Sequence, residues 1–121
     1  MNPNQKTKGE LEAEFTKKIL NFEKEYLGRG PVQARTYLIN DMVLVRLQGV
    51  LTNAEEKLAQ NKEGQALVKE TRRHLFETSR SILSGFVKEI LGTDMVDFYS
   101  DISTESGERI IVITVARDFG H

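Results

Sequence analysis

The chain has 121 residues, of which 39% are hydrophobic and 29% charged, and this predicts a single folded domain. Its 17 basic and 18 acidic side chains give a net charge of −1, which argues against nucleic acid as a partner. It has no cysteine, which excludes disulfides and thiolate metal sites, and no apolar run near the roughly 20 residues of a spanning helix, so we expect no direct membrane insertion.

The first predicted element is a helix over residues 9–27, after a polar and flexible N-terminus of residues 1–8. Apolar residues recur there at spacings of three and four, as on one face of an amphipathic helix: Leu11, Phe15, Ile19, Phe22 and Tyr26. Thr7 with Glu10 forms a possible capping box, and Gly28 suits the helix end.

A β-hairpin follows, because Asn40-Asp41 suits a two-residue turn between Ala34 to Ile39 and Met42 to Val50. One face then carries a core-like set: Ala34, Thr36, Leu38, Val43, Val45 and Leu47. The other face carries Arg35, Tyr37, Ile39, Met42, Leu44 and Arg46. This register places Arg35 directly opposite Arg46, so their like charges need compensation.

The next helical pattern begins at Thr52, with Glu55 as the second half of a capping box, and continues to Leu91. Its weak point is the apolar-free stretch 61–64, which contains a glycine. The segment is therefore either one long helix or a short helix, 53–60, followed by a long one, 62–91. The long piece alone would extend about 45 Å, more than a small sheet covers. We therefore predict a homodimer through the long helix, with a monomer bent at Gly64 as the alternative.

The last third predicts a second hairpin, Met95 to Ile102 with Arg109 to Ala116, followed by a loose tail of residues 117–121. The predicted fold class is α+β, with a helix, a β-hairpin, a long helix and a β-hairpin in chain order. A four-stranded, largely antiparallel sheet packs against the helices. Residues 9–116 form one domain.

Charge differs between the two hairpins. Residues 28–50 hold three arginines against one acid, and residues 94–108 hold five acids and no base. The interpretation that we favour is charge pairing between the hairpins, with Asp97 and Asp101 as the acidic candidates. The alternative is an anion or ligand pocket, for which the candidate binding residues are Arg29, Arg35, Tyr37 and Arg46.

Catalytic motifs are lacking, so we expect no enzyme activity, no metal site and no cofactor. His74 lies beside Arg72 and Arg73, whose charges oppose metal binding, and no second ligand stands at helical spacing. The basic residues around His74 alternate with Glu63, Glu70 and Glu77, as on a solvated helix face.

Several motifs resemble the MpsC-like family of bacterial proteins, which is named for a sodium-translocating, membrane-potential-generating system. The matching segments are Tyr26-Leu27-Gly28-Arg29-Gly30-Pro31, Ala34-Arg35-Thr36-Tyr37, Asp41-Met42-Val43, Gly49-Val50-Leu51-Thr52, Arg72-Arg73, Ile90-Leu91-Gly92 and Ser100-Asp101-Ile102. The similarity extends from about Glu10 to Val115. Asn53 stands where the family pattern suggests proline, a change that suits a first helical turn as well.

The resemblance implies a small soluble protein linked to ion or inorganic-carbon transport, or to its regulation, with no established reaction. We expect it in the cytoplasm, reaching the inner membrane only through a partner. Two functions follow: an accessory or regulatory protein that docks on a membrane transporter, or a dimeric sensor that binds an anion or small metabolite near Arg35 and Arg46. An enzyme has the least support.

Overall fold

The structure, a computed structural model, describes residues 5–121. The elements in chain order are α1 (Lys8–Leu27), β1 (Gln33–Ile39), β2 (Met42–Gln48), α2 (Asn53–Leu58), α3 (Lys62–Thr78), α4 (Arg80–Phe86), a π-helical turn (Val87–Leu91), β3 (Met95–Ile102) and β4 (Arg109–Val115). The predicted α+β class is confirmed. Both predicted capping boxes are present, at Thr7 with Glu10 and at Thr52 with Glu55.

The four strands form one antiparallel sheet with the order β1-β2-β4-β3. The first hairpin has the predicted register, because Ile39 pairs with Met42 and Arg35 with Arg46. Asn40 in the turn has a φ of 54°, the left-handed conformation that asparagine tolerates. The acidic strand β3 is an edge strand, and β4 separates it from β2.

All the helices lie on one face of the sheet, where they form the core. The predicted stripe of α1 is buried at Leu11, Phe15, Ile19 and Phe22, while Tyr26 is exposed. Alternate residues of β2 and β4 are fully buried beneath the helices, as a half-covered antiparallel sheet requires. Of the N-terminal segment predicted to be flexible, residues 1–4 lie outside the described residues. The tail bonds to the first turn, where Asn40 and Gly120 form a 2.7 Å backbone hydrogen bond.

Side chains also bond to strand backbone. The Glu12 carboxylate on α1 accepts a hydrogen bond of 2.8 Å from the backbone N–H of Leu38 on β1. On β3, the Asp97 carboxylate accepts from the backbone N–H of Phe98, and Asp101 accepts from Ile102, both at 2.8 Å.

The long helical pattern is divided into three helices. The first break confirms the alternative of a short helix followed by a longer one, because Asn61 caps α3 by accepting from the Gly64 N–H at 2.8 Å. The chain turns so sharply that a Cβ on Gly64 would lie 1.6 Å from the Leu58 carbonyl oxygen. A helix continuous over 62–91 is wrong, because a second break falls at Ser79, whose buried hydroxyl donates to the Phe76 carbonyl.

The breaks change the argument for a dimer through the long helix. Folding back allows the sheet and α1 to cover Val68, Phe76, Leu83 and Val87, so most of the stripe is buried within one chain. The homodimer itself stays a prediction. The length of the helix no longer supports it.

The contact at Gly64 predicts a large effect of one methyl group. We expect Gly64→Ala to lower the free energy of unfolding by about 3 kcal/mol, because backbone must move to admit the Cβ. Gly85→Ala is the matched control, since nothing lies within 4 Å of a Cβ there and alanine favours the helix. Urea unfolding of both variants measures the difference. Equal stabilities would contradict the close packing of α2 on α3.

Candidate functional site

Four charged side chains meet beneath the helices, and we call them the ionic cluster: Glu23, Glu55, Arg72 and Arg109. They come from α1, α2, α3 and β4 respectively. Three of them are almost wholly buried, with exposed fractions of 1% for Glu23, 4% for Arg72 and 2% for Arg109. Buried charges are rare unless they are paired, so this cluster is the most unusual chemical feature of the interior.

The geometry of the ionic cluster is a chain of ion pairs. Arg109 Nη1 donates to Glu23 Oε1 at 2.8 Å. Arg72 holds Glu55 with two bonds, from Nε at 2.8 Å and from Nη2 at 2.6 Å, and Nη2 also donates to the Val50 carbonyl. Such a bidentate contact is the strongest form of arginine–carboxylate pairing. The cluster therefore fixes α2, α3 and the Val50 backbone together.

Glu23 and Arg72 approach each other less closely, with 4.0 Å between Glu23 Oε2 and Arg72 Nη1. Neither atom has a hydrogen-bond partner among residues 5–121. Burial raises the pKa of Glu23, against the opposing effect of the Arg109 and Arg72 charges. Burial would also raise the pKa of Glu55, but the hydrogen bonds from Arg72 and Thr52 outweigh it and lower that pKa. The two carboxylates thus have different environments within one cluster.

A cleft of about 780 Å³ opens beside the ionic cluster, between α3 and the β3–β4 hairpin, and we call it the α3 cleft. Its aromatic walls carry cations: Arg109 lies 4.5 Å from the ring centroid of Phe76, and Arg80 lies 4.9 Å from that of Phe98. The basic lining residues are Lys69, Arg72, Arg73, Arg80 and Arg109, and the acidic ones are Glu70, Glu77 and Asp101. The excess of basic groups makes an anion the ligand that suits this cleft best.

The opposite face of the sheet carries most of the residues that the sequence predicted as a site. No described helix covers it, and we call it the open face. Its side chains are Arg35, Tyr37 and Ile39 on β1, Met42, Leu44 and Arg46 on β2, Ile110, Val112 and Thr114 on β4, and Asp97, Tyr99 and Asp101 on β3. Its centre is apolar, and its charged groups lie toward one end and along the β3 edge.

The predicted ligand residues do not form one pocket. Arg35, Tyr37 and Arg46 share the open face, with the Arg35 guanidinium 5.4 Å from the Tyr37 ring centroid. Arg29 lies elsewhere and donates to the Leu51 carbonyl at 2.8 Å, so it ties the connection after α1 to the segment before α2.

The predicted charge-pairing residues lie two strands away from Arg46. Asp97 is 3.8 Å from Arg80 and accepts from the Tyr99 hydroxyl at 3.2 Å. Arg46 pairs at 2.7 Å with Glu108, the residue that precedes β4. The first hairpin therefore does contact an acid of the second one, and this contact compensates one of the two opposed arginines.

The residues of the ionic cluster were missed as a unit by the sequence analysis, although each leaves a signal. Arg72 stands at the helical spacing of four from Val68 and from Phe76, both buried. Arg109 continues the alternation of Ile111 and Ile113 on the buried face of β4. A charged residue at a core position of a periodic pattern indicates a buried ion pair.

Comparison with known proteins assigns the family. The family model described as Na+-translocating membrane potential-generating system (MpsC) matches residues 7–117. The chain therefore belongs to the MpsC family, and the resemblance noted in the sequence is confirmed. Within residues 5–121 no helix has both the length and the apolar character to cross a membrane.

Two relatives come from Bacillus subtilis (strain 168), and both carry the description of uncharacterized proteins. YbcI is 39% identical over 113 residues, which cover 93% of this chain and 91% of YbcI. YrhF is 29% identical over 106 residues, covering 86% of each chain. No solved structure gives a significant match.

The ionic cluster predicts strong coupling between Glu23 and Arg109. We expect Glu23→Gln to lower the free energy of unfolding by about 3 kcal/mol, because two buried arginines lose their opposing charge. The double variant with Arg109→Met should lose less than the sum of the two single variants, as measured by urea unfolding.

The exposed pair Arg46–Glu108 supplies the control for that cycle. Arg46→Met and Glu108→Gln should each change stability by less than about 1 kcal/mol, because solvent screens this pair. If Glu23→Gln and Arg109→Met were additive and as mild as the control, the cluster would not hold the elements together.

Proposed function

We propose that this protein is a non-catalytic accessory component of a membrane ion-transport system and that it acts through contacts with other proteins. The observation that carries the proposal is the family match over residues 7–117, whose description names a sodium-translocating, potential-generating system. The proposal extends that description to this chain.

The chemistry of the interior supports a non-catalytic role. The charged groups closest to one another, Glu23, Arg72 and Arg109, are buried and, with Glu55, bonded across four elements of the fold. A general acid or base must reach a substrate proton within hydrogen-bond distance, which groups so enclosed do not do without unfolding their surroundings. His74, the histidine within the helices, is exposed and lies 3.1 Å from Glu70 on the same helix.

The test is cross-linking in cells of the bacterium that encodes the chain. We expect the tagged protein to cross-link to a membrane protein that translocates cations, and deletion of the gene to lower the membrane potential in high sodium. His74→Ala should restore the potential as fully as the unchanged protein, because the proposal assigns His74 no chemistry. Cross-links to soluble proteins alone, with an unchanged potential after deletion, would refute the accessory role.

A second candidate function, anion sensing, is favoured by the α3 cleft. Two arginines that line it, Arg72 and Arg109, are held in fixed positions by the ionic cluster, and Lys69 and Arg80 stand at its exposed rim. Rigid cations reduce the entropy cost of binding an anion. The sequence analysis placed such a site near Arg35 and Arg46, on the open face, so the two locations make different predictions.

Anion binding is measured by calorimetry with bicarbonate, phosphate and a dicarboxylate. We expect Lys69→Ala and Arg80→Ala each to weaken binding about 10-fold, the effect of losing one charge-assisted contact. Arg35→Ala should leave the affinity unchanged. If Arg35→Ala weakened binding and the two cleft variants did not, the site would be on the open face, and absence of binding by every anion would reject the sensor.

A further inference from the structure

The open face exposes more apolar surface than a solvated sheet face needs. Tyr99 is 58% exposed, Ile39 37% and Met42 36%, and Tyr37, Leu44, Ile110 and Val112 are half-buried. No described element of the chain packs on them. A contiguous apolar patch with a charged rim is typical of a protein–protein interface.

The register of the sheet arranges the open face in three rows that run across the strands. In the order β1-β2-β4-β3, the first row is Arg35, Arg46, Ile110 and Asp101, the second is Tyr37, Leu44, Val112 and Tyr99, and the third is Ile39, Met42, Thr114 and Asp97. The second row reads nearly the same in both directions, with an aromatic residue at each end and two aliphatic residues between them. The first row has opposite charges at its two ends.

We propose that the open face binds the open face of a second copy of this chain, around a two-fold axis parallel to the strands. This axis places β1 over the partner's β3 and β2 over the partner's β4. Each row then meets itself in reverse. Tyr37 stacks against the partner's Tyr99, and Leu44 packs on the partner's Val112, so the interface is the same patch on both chains, as two-fold symmetry requires.

Charge complementarity selects a second copy as the occupant. The same axis brings Arg35 over the partner's Asp101, and the pair occurs twice. Within residues 5–121 neither Arg35 nor Asp101 forms a salt bridge. The neighbouring charges are already compensated, since Arg46 pairs with Glu108 and Asp97 lies near Arg80. Aligned sheets pack about 10 Å apart, a gap that an arginine side chain and a carboxylate can bridge.

The charges also exclude the other face-to-face arrangement. A two-fold axis perpendicular to the strands would place β3 over the partner's β3, with Asp101 over the partner's Asp97. Two pairs of like charges would then meet at the edge of an apolar interface, where their repulsion is weakly screened. Arg35 would lie over the partner's Ile39 and gain no counter-charge.

The size of the face sets the strength of the dimer. Four strands about 4.8 Å apart, with rows about 6.7 Å apart, give a patch of about 19 by 20 Å. This is smaller than the roughly 800 Å² per partner of a standard stable interface, so we expect a dimer that forms at tens of micromolar. The exposed leucines of α3, such as Leu67, provide the competing surface on which the helix-based dimer prediction would depend.

The test is a pair of charge reversals followed by mixing. By sedimentation velocity at about 100 µM, the unchanged protein should be dimeric, and Arg35→Glu and Asp101→Arg should each be monomeric, because each places like charges together twice. An equimolar mixture of the two variants should form a dimer, since the carboxylate introduced in one variant then meets the guanidinium introduced in the other. Circular dichroism of each variant verifies that it folds.

Two controls complete the design. Lys24→Glu reverses an exposed charge on α1, away from the open face, and should leave the dimer intact. Leu67→Glu tests α3 and should also leave it intact. The proposal is overturned if the unchanged protein is monomeric at about 500 µM, if either reversal alone remains dimeric, if the mixture stays monomeric, or if Leu67→Glu abolishes the dimer.

Discussion

The ionic cluster is the constraint on which the rest of the structure depends. One carboxylate, Glu23, lies between two buried arginines that come from α3 and β4. Because an unpaired buried charge costs several kcal/mol, α1, α3 and the sheet cannot shift independently without a large penalty. The hydrophobic core supplies the burial, and the cluster determines which arrangement of helices on the sheet satisfies it.

The division of the long helical segment follows from the same constraint. Glu55 and Arg72 are 17 residues apart, so a continuous helix would separate them by about 26 Å. In the structure Arg72 Nη2 lies 2.6 Å from Glu55 Oε1, which is possible only because the chain reverses between α2 and α3. Gly64 permits the close approach, and Asn61 caps the new helix. The break and the buried pair are therefore two parts of one solution.

Much of the fold could be predicted from local sequence signals. The capping boxes, the Asn40 turn and the period of two in β1 and β2 each depend on residues close together in the chain, and they gave the hairpin register correctly. The break at Ser79 could not be predicted, because neither glycine nor proline marks it. The ionic cluster joins residues as far as 86 positions apart, so a local reading of Arg72 among glutamates suggested a solvated face.

The hydrogen bonds from carboxylates to strand backbone have a consequence for assembly. Both outer strands of the sheet expose amide groups that could recruit a strand from another molecule, which is a common route to aggregation. Glu12 occupies the Leu38 amide at the β1 edge, and Asp97 and Asp101 occupy amides at the β3 edge. Each position also holds a negative charge where an incoming strand would lie. The chain thus discourages growth of the sheet sideways into fibres and leaves its flat side as the route for contact between molecules.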